Sequence, residues 1–143
     1  GEKVWTVFID IYPINDDGSL TDACSIAAVA ALHNAVMPEL SKDGTVDYDK
    51  KGKHKLPLTE GMLPLSFTFF KLGKHIILHP IREEEEACDA KITFGASKFN
   101  WELMINSCQN GWETTFDISE IEKMMEIIPA KYEELSKKLK KLS

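Results

Sequence analysis

Hydrophobic and polar positions along the chain predict an opening strand followed by a helix. Residues 4–12, with the sequence VWTVFIDIY, are rich in β-branched and aromatic side chains and are apolar on both faces. Such a run is typical of a strand that is buried on both sides and therefore lies centrally in its sheet. A turn cluster follows at 15–19, and a helix is then predicted over 21–35 with Thr21 or Asp22 as its N-cap. The predicted core face of this helix consists of Ala23, Ile26, Ala27, Ala30 and Ala31.

Further along, the pattern changes to alternation. Residues 38–57 are predicted to form a long polar surface excursion, with room for a short strand around 45–48. A hairpin turn is predicted at Gly73-Lys74 and another turn at 97–100. Four strands are predicted in this half of the chain, over about 63–69, 76–78, 89–96 and 101–108.

The tail from Asp117 is predicted to be helical, because Asp117 and Glu120 can form a capping box. A helical apolar stripe follows: Ile121, Met124, Met125, Ile128, Tyr132, Leu135, Leu139 and Leu142. Pro129 is predicted to kink or split this helix. The element order predicts an α+β (mixed α/β) fold in which helices pack on a mixed sheet.

Composition and charge narrow the classes of function. The chain has 143 residues, of which 43% are hydrophobic, and it contains no run long enough to span a membrane. Its formal net charge of −6 makes it a poor non-specific binder of nucleic acid. Three widely spaced cysteines argue against a disulfide framework and favour a reducing compartment.

Candidate metal and nucleophile residues have simpler interpretations. His75 and His79 flank a predicted strand, which spaces them about 13 Å apart, too far for one ion. Cys24 lies near a helix start among small apolar residues, which favours a packing role over nucleophilic chemistry. We therefore predict no metal site and no cofactor.

Two charged segments and one loop remain as candidates. The loop 16–20 precedes a helix and so can present N–H groups to an anion, but it offers two acids and no cation. The run Glu83–Glu86 is predicted to be a solvated turn. The lysines at 137, 138, 140 and 141 can contact RNA, although the wet face of an amphipathic helix is the simpler interpretation.

Two longer segments carry a resemblance. The run GEKVWTVFIDIYPINDDGSLTDACSIAAVAALHNAVMPEL is similar to the middle of RNase PH-type subunits of the RNA exosome, where a Trp-bearing strand leads into a DGN-type turn and an Ala-rich helix. The stretch LPLTEGMLPLSFTFFKLGKHIILHPIREEEEACDAKITFGAS resembles the second half of the same family. The resemblance is strongest to the non-catalytic branch, which includes the inactive archaeal subunit and the eukaryotic polymyositis/scleroderma-autoantigen type; the second stretch and the cysteines lean towards the eukaryotic side.

The resemblance implies an RNase PH-like two-layer fold that is present as an incomplete copy. Residues 1–143 would be the C-terminal portion of one domain, with 1–38 ending its first half, 39–57 as a linker and 58–143 as its second half. Phosphorolytic members carry a Gly-Ser/Thr-Arg phosphate loop and a later carboxylate pair. The matching positions here are Gly18, Ser19 and Leu20, then His79 and Glu85, so the site is degenerate and no phosphorolysis is expected.

The implied function is that of a structural subunit in a hexameric RNase PH-type ring. Its partners would be other ring subunits, S1/KH-type cap subunits and RNA threaded through the ring. The implied location is the cytoplasm for an archaeal source, and the nucleus, nucleolus and cytoplasm for a eukaryotic one. Two alternatives stay open: a phosphorolytic 3′-to-5′ exoribonuclease with an atypical site, and an unrelated stand-alone binding module.

Overall fold

The computed structural model describes residues 4–47, 49–50, 52–59, 62–112 and 114–141. In chain order the elements are α1 (Leu20–Asn34), β1 (Glu39–Leu40), β2 (Val46–Asp47), β3 (Leu65–Leu72), β4 (His75–Leu78), α2 (Arg82–Glu86), β5 (Ala90–Phe99), β6 (Glu102–Asn110) and α3 (Ile118–Leu139). The predicted α+β class is confirmed.

Four strands form the main sheet in the order β4-β3-β5-β6, and every neighbouring pair is antiparallel. The prediction of a mixed sheet is therefore wrong for the described residues. The reason is the connections: tight turns join β3 to β4 and β5 to β6, and a hairpin turn reverses the chain direction. The second turn lies at Asn100-Trp101, later than the predicted 97–100, so β5 is longer than its pattern indicated.

Helix α3 covers one face of this sheet. Its buried side chains are those of Met124, Ile128, Tyr132, Ser136 and Leu139, and all of these except Ser136 belong to the predicted stripe. The Tyr132 ring packs 6.4 Å from that of Phe67 on β3. At its start, the N–H of Asp117 donates to Glu120 at 2.8 Å, as the predicted capping box requires. The helix runs through Pro129 without a break, so a split at this proline is not observed.

Residues 4–12 contain no strand, contrary to the prediction. Their large apolar side chains are exposed: Phe8 and Tyr12 are each 84% exposed, and Val4 is 85% exposed. A strand exists only where another strand accepts and donates its backbone hydrogen bonds. Among the described residues, no strand pairs with this segment. Its apolar pattern predicts that its side chains are buried, but no described residues bury them.

Helix α1 has its predicted length, but the face that it buries is rotated relative to the predicted face. Asp22 and Val29 are buried, whereas Ala23, Ala27 and Ala31 are exposed. The helix is apolar around most of its circumference, so hydrophobicity alone did not select one face. Polar contacts to β3 select it instead, as the next subsection describes.

The polar excursion contains the short hairpin β1–β2, in which Glu39 pairs with Asp47. This confirms a short strand within the predicted 45–48; its last position, Tyr48, lies outside the described residues, as does Leu142 of the helical stripe. The run Glu83–Glu86 belongs to helix α2 and is not a turn. Carboxylates in a first helical turn interact favourably with the exposed N–H groups there, which explains the difference.

Candidate functional site

The loop at Gly18-Ser19, the end of β4 and the helix α2 meet at one point of the molecule. The backbone N–H of Ser19 donates to Glu85 Oε2 at 2.8 Å. His79 Nδ1 lies 3.6 Å from Asp22 Oδ2, in the first turn of α1. The structure therefore brings together the positions that the sequence singled out, and we call this cluster the loop site.

The backbone of the loop site is tightly folded. Gly18 has φ +87°, and a Cβ atom there would lie 2.3 Å from the carbonyl oxygen of Pro80. Ser19 and His79 are also left-handed, with φ 51° and 59°. Left-handed non-glycine residues are uncommon and cost free energy, so this approach of two chain segments is held by the surrounding contacts. The predicted N-cap at Thr21 or Asp22 is wrong, because Ser19 occupies that position.

Asp22, which the sequence interpretation considered only as an N-cap, is a buried hydrogen-bond acceptor at the loop site. Its side chain is almost fully buried and accepts hydrogen bonds from the N–H of Thr68 at 2.9 Å, from Thr68 Oγ1 at 2.7 Å and from Ser19 Oγ at 3.1 Å. Burial raises the pKa of this carboxyl above its ordinary range, although the hydrogen bonds from Thr68 and Ser19 and the nearby His79 act in the opposite direction.

The role of Asp22 follows from the edge of β3. Strand β4 pairs only with Phe69 to Leu72, so no described strand covers the backbone of Ser66 and Thr68 on that side. Asp22 accepts from the N–H of Thr68, and Ser25 Oγ accepts from the N–H of Ser66 at 3.1 Å. Two side chains of α1 thus accept the backbone hydrogen bonds that a further strand would otherwise accept.

A signal for Asp22 was present in the sequence. Asp22, Ile26 and Val29 lie on one helical stripe, and an acid on an apolar stripe must be either paired or hydrogen-bonded. The predicted face correctly included Ile26 and Ala30, which pack against the core, but it also included Ala23, Ala27 and Ala31, which are exposed, and it omitted Asp22. The distant partner, Thr68, could not be identified from local spacing.

Charges at the loop site are mainly negative. Glu85 and Asp22 both contact the loop, and Lys91 Nζ lies 3.9 Å from Glu85 Oε1. Arg82 is the chain's single arginine, and its Nε pairs with Glu86 Oε1 at 3.0 Å on the exposed side of α2. Leu20, where the resemblance implies an arginine in phosphorolytic members, supplies no charge.

The described residues contain no group of three or more His, Cys, Asp or Glu side chains that could hold a metal ion. Cys88 is buried, its thiol contacts the carbonyl oxygen of Glu84 at 3.0 Å, and burial raises its pKa, which disfavours the thiolate. Cys24 is partly exposed within α1. Among the described helices, none has the length and hydropathy that a membrane crossing requires.

Comparisons with known proteins find similar sequences and folds. Residues 1–38 match the family described as "3' exoribonuclease family, domain 1". The chain is 35% identical to the exosome complex component Rrp42 of Thermoplasma volcanium over 127 residues, which is 89% of this chain and 44% of that protein. It is 32% identical to the Rrp42 component of Saccharolobus islandicus over 142 residues, or 97% of this chain and 51% of that one.

A solved archaeal exosome core contains a chain with a similar fold. The TM-score is 0.63 at 28% identity, and the match covers 79% of this chain and 41% of the other. The Archaeoglobus fulgidus exosome, solved with RNA bound to its active site, gives the same TM-score at 26% identity. The chain thus spans about half the length of the relatives it matches. The resemblance to RNase PH-type exosome subunits is confirmed along most of this chain, on an RNase PH-like fold of which it carries part.

Proposed function

We propose that the chain is a non-catalytic structural subunit of an RNase PH-type exosome ring, and that it supplies the C-terminal portion of one such domain. The observation that supports this most directly is the hydrogen bond from Ser19 N–H to Glu85. A phosphate at this loop would need that N–H as a donor, because helix N-termini bind anions through such groups. A carboxylate of the chain itself already occupies it.

The charges support the same proposal. Phosphorolysis requires that an inorganic phosphate be held next to the RNA linkage, and cationic donors must offset its charge. At the loop site a phosphate would meet Glu85 and the buried Asp22, while the guanidinium of Arg82 is paired with Glu86. His79 stands where a working relative carries an acid. The expected result is a site that does not hold phosphate next to the RNA linkage.

The exposed surfaces fit a subunit that works by contact with neighbours. Segment 4–14 exposes a series of large apolar side chains, including Phe8 at 84% and Ile14 at 102%. Ala23, Ala27 and Ala31 form an exposed small-residue face on α1, and β6 ends the sheet. Apolar patches of this kind are typical of interfaces. The partners would be other RNase PH-type subunits, S1/KH-type cap subunits and RNA threaded through the ring, and the location would be the cytoplasm.

A phosphorolysis assay tests the catalytic part of the proposal. The purified chain, alone and mixed with a catalytic RNase PH-type partner, is incubated with short RNA and inorganic phosphate, and nucleoside diphosphates are measured. We expect no release by the chain alone and no change in the mixture when Glu85→Gln is introduced. Release by the chain that Glu85→Gln abolishes, while Glu83→Gln on the same helix leaves it intact, would establish the phosphorolytic alternative.

Assembly is tested separately. Phe8→Asp places a charge on the exposed apolar segment 4–14, and Ile118→Asp places one at the start of α3, where Ile118 is 78% exposed. We expect Phe8→Asp to abolish co-elution with an RNase PH-type partner and Ile118→Asp to preserve it. A chain that stays a stable monomer with every such partner would favour the stand-alone binding module instead.

A further inference from the structure

A cavity lies where the turn between β5 and β6 approaches the C-terminal part of α3. Its volume is about 590 Å³, and its lining includes Lys98, Asn100, Trp101, Tyr132, Glu133 and Lys140. No role in the proposed ring function uses these residues. We call this cavity the Trp101 pocket.

The turn that carries Trp101 has an unusual conformation for its sequence. Phe99 pairs with Glu102, so Asn100 and Trp101 form a two-residue hairpin loop with φ 49° and 70°. Such loops favour Asn-Gly, because the second residue must also be left-handed. Asparagine tolerates this conformation, whereas a bulky residue such as tryptophan does so only with strain.

Packing among the described residues does not compensate for this strain. The Trp101 side chain is 92% exposed, so its indole buries almost nothing. A glycine at this position would make the same turn at lower cost. A strained residue whose side chain is not buried indicates a role other than stabilising the fold.

The walls of the pocket are joined by hydrogen bonds and carry charges of both signs. The Tyr132 hydroxyl donates to the carbonyl oxygen of Leu63 at 2.8 Å and accepts from the N–H of Lys98 at 3.1 Å, which fixes the floor. Lys98 pairs with Glu133, and this contact lowers the pKa of Glu133, so the carboxylate is ionised. Lys140 also lines the pocket, so two lysine side chains and one carboxylate border it.

These groups match the chemistry of a nucleotide. An exposed indole offers a stacking surface for any base, because every base has a π-face. Lysine ammonium groups attract phosphate as point charges. The Asn100 amide both donates and accepts, and the Glu133 carboxylate accepts, so either can bond a base edge or a ribose hydroxyl.

We propose that the Trp101 pocket binds one nucleotide unit, with its base stacked on Trp101 and its phosphate next to Lys140. The unit can belong to a free mononucleotide or to single-stranded RNA, since both present the same base and phosphate. The proposal does not depend on ring assembly or on the loop site. Because the chain as a whole is acidic, binding is local and weakens as salt rises.

The test uses fluorescence anisotropy of a labelled short oligouridylate and oligoadenylate with the full chain at low salt, and AMP as a competitor. Trp101→Ala is expected to weaken binding by at least about fivefold, the lower end of measured base–aromatic stacking contributions. Lys140→Gln is expected to reduce the dependence of the binding affinity on salt concentration. Trp112→Phe, whose ring lies near Lys91 instead, is the matched control and should leave affinity unchanged.

Trp101→Gly separates binding from folding. It should lose affinity as Trp101→Ala does, yet unfold at a higher urea concentration than the wild type, because glycine relieves the turn. Competition by AMP assigns the pocket to free nucleotides, and binding of oligonucleotides that AMP does not displace assigns it to RNA; both support the proposal. The proposal would be overturned if the wild type bound neither probe or if Trp101→Ala bound as well as the wild type. It would also be overturned if Trp101→Ala lost only contact with a protein partner.

Discussion

Replacing Asp22 should show how strongly the fold depends on a helix side chain that completes a sheet edge. In Asp22→Ala three donors lose their acceptor: the N–H and the hydroxyl of Thr68, and the hydroxyl of Ser19. The Thr68 hydroxyl keeps a partner in Thr93 Oγ1 at 2.9 Å. The backbone N–H of Thr68 keeps none among the described groups, and it is buried.

The magnitude follows from these contacts. Hydrogen bonds to a charged acceptor contribute about 1.5–3 kcal/mol each, and an unsatisfied buried donor costs about 1–3 kcal/mol. Part of this loss is offset, because the variant no longer buries a carboxylate. We therefore expect Asp22→Ala to lower the free energy of unfolding by about 3 kcal/mol, and Asp22→Asn, which keeps one oxygen acceptor, by about half of that. Domains of this kind have only about 5–15 kcal/mol in total.

The pH dependence gives the sharper test. The pKa of Asp22 is raised in the folded chain, so the folded state binds more protons than the unfolded state near that pKa. This group's contribution to stability is therefore full below its unfolded pKa and is lost as pH rises through the folded pKa. Asparagine does not titrate, so the deficit of Asp22→Asn relative to wild type should be largest in acid and shrink as pH rises.

Urea denaturation followed by circular dichroism, at several pH values between acid and neutral, measures this deficit. Asp17→Asn, at an exposed position of the same loop, is the control and should be neutral throughout. A deficit that grows with pH would show that the native state stabilises the ionised carboxylate more than burial penalises it. A deficit near zero for Asp22→Ala would show that the edge of β3 finds other acceptors.

Three further changes test other contacts, each by urea denaturation. Gly18→Ala should cost more than about 2 kcal/mol, because its Cβ would collide with a main-chain oxygen, whereas Gly73→Ala, also left-handed but with open space, should cost only about 1 kcal/mol. Equal losses would refute the clash. Tyr132→Phe leaves the Leu63 carbonyl without its bond and should cost about 1–3 kcal/mol; a neutral result would mean that water replaces the hydroxyl. Trp101→Gly should raise the free energy of unfolding by up to about 1 kcal/mol, because the relief of strain in the turn exceeds the entropic cost of ordering a glycine. A decrease in the free energy of unfolding would show that the indole packs against the protein in solution.

The elements that were predicted correctly are those whose signals are local. The alternation through β3, the hairpin turn at Gly73 and the Asp117–Glu120 capping box each depend on residues close in sequence, and each occurs in the structure. The apolar stripe of α3 also needs only one neighbour, the sheet, so its spacing identified the buried side chains.

The errors concern features that depend on distant partners. Residues 4–12 have the composition of a central strand, but pairing is decided by neighbours that composition cannot supply. The face of α1 was set by hydrogen bonds that backbone N–H groups of β3 donate to Asp22 and Ser25, more than forty positions away. The resemblance did locate Gly18, Ser19, His79 and Glu85 at one site, although it did not reveal that Glu85 occupies the loop's own N–H.

The side chains that α1 places along β3 also decide how the sheet can grow. On that side the described residues offer an incoming chain only the short strand β4, and Asp22 and Ser25 occupy the positions beside it. On the other side the nine residues of β6 remain available. The two edges of the sheet therefore differ in length, because α1 leaves only the four residues of β4 open on its side, while β6 is open over nine. Edge strands are where a further strand can pair, so the β6 edge offers the longer surface for such pairing.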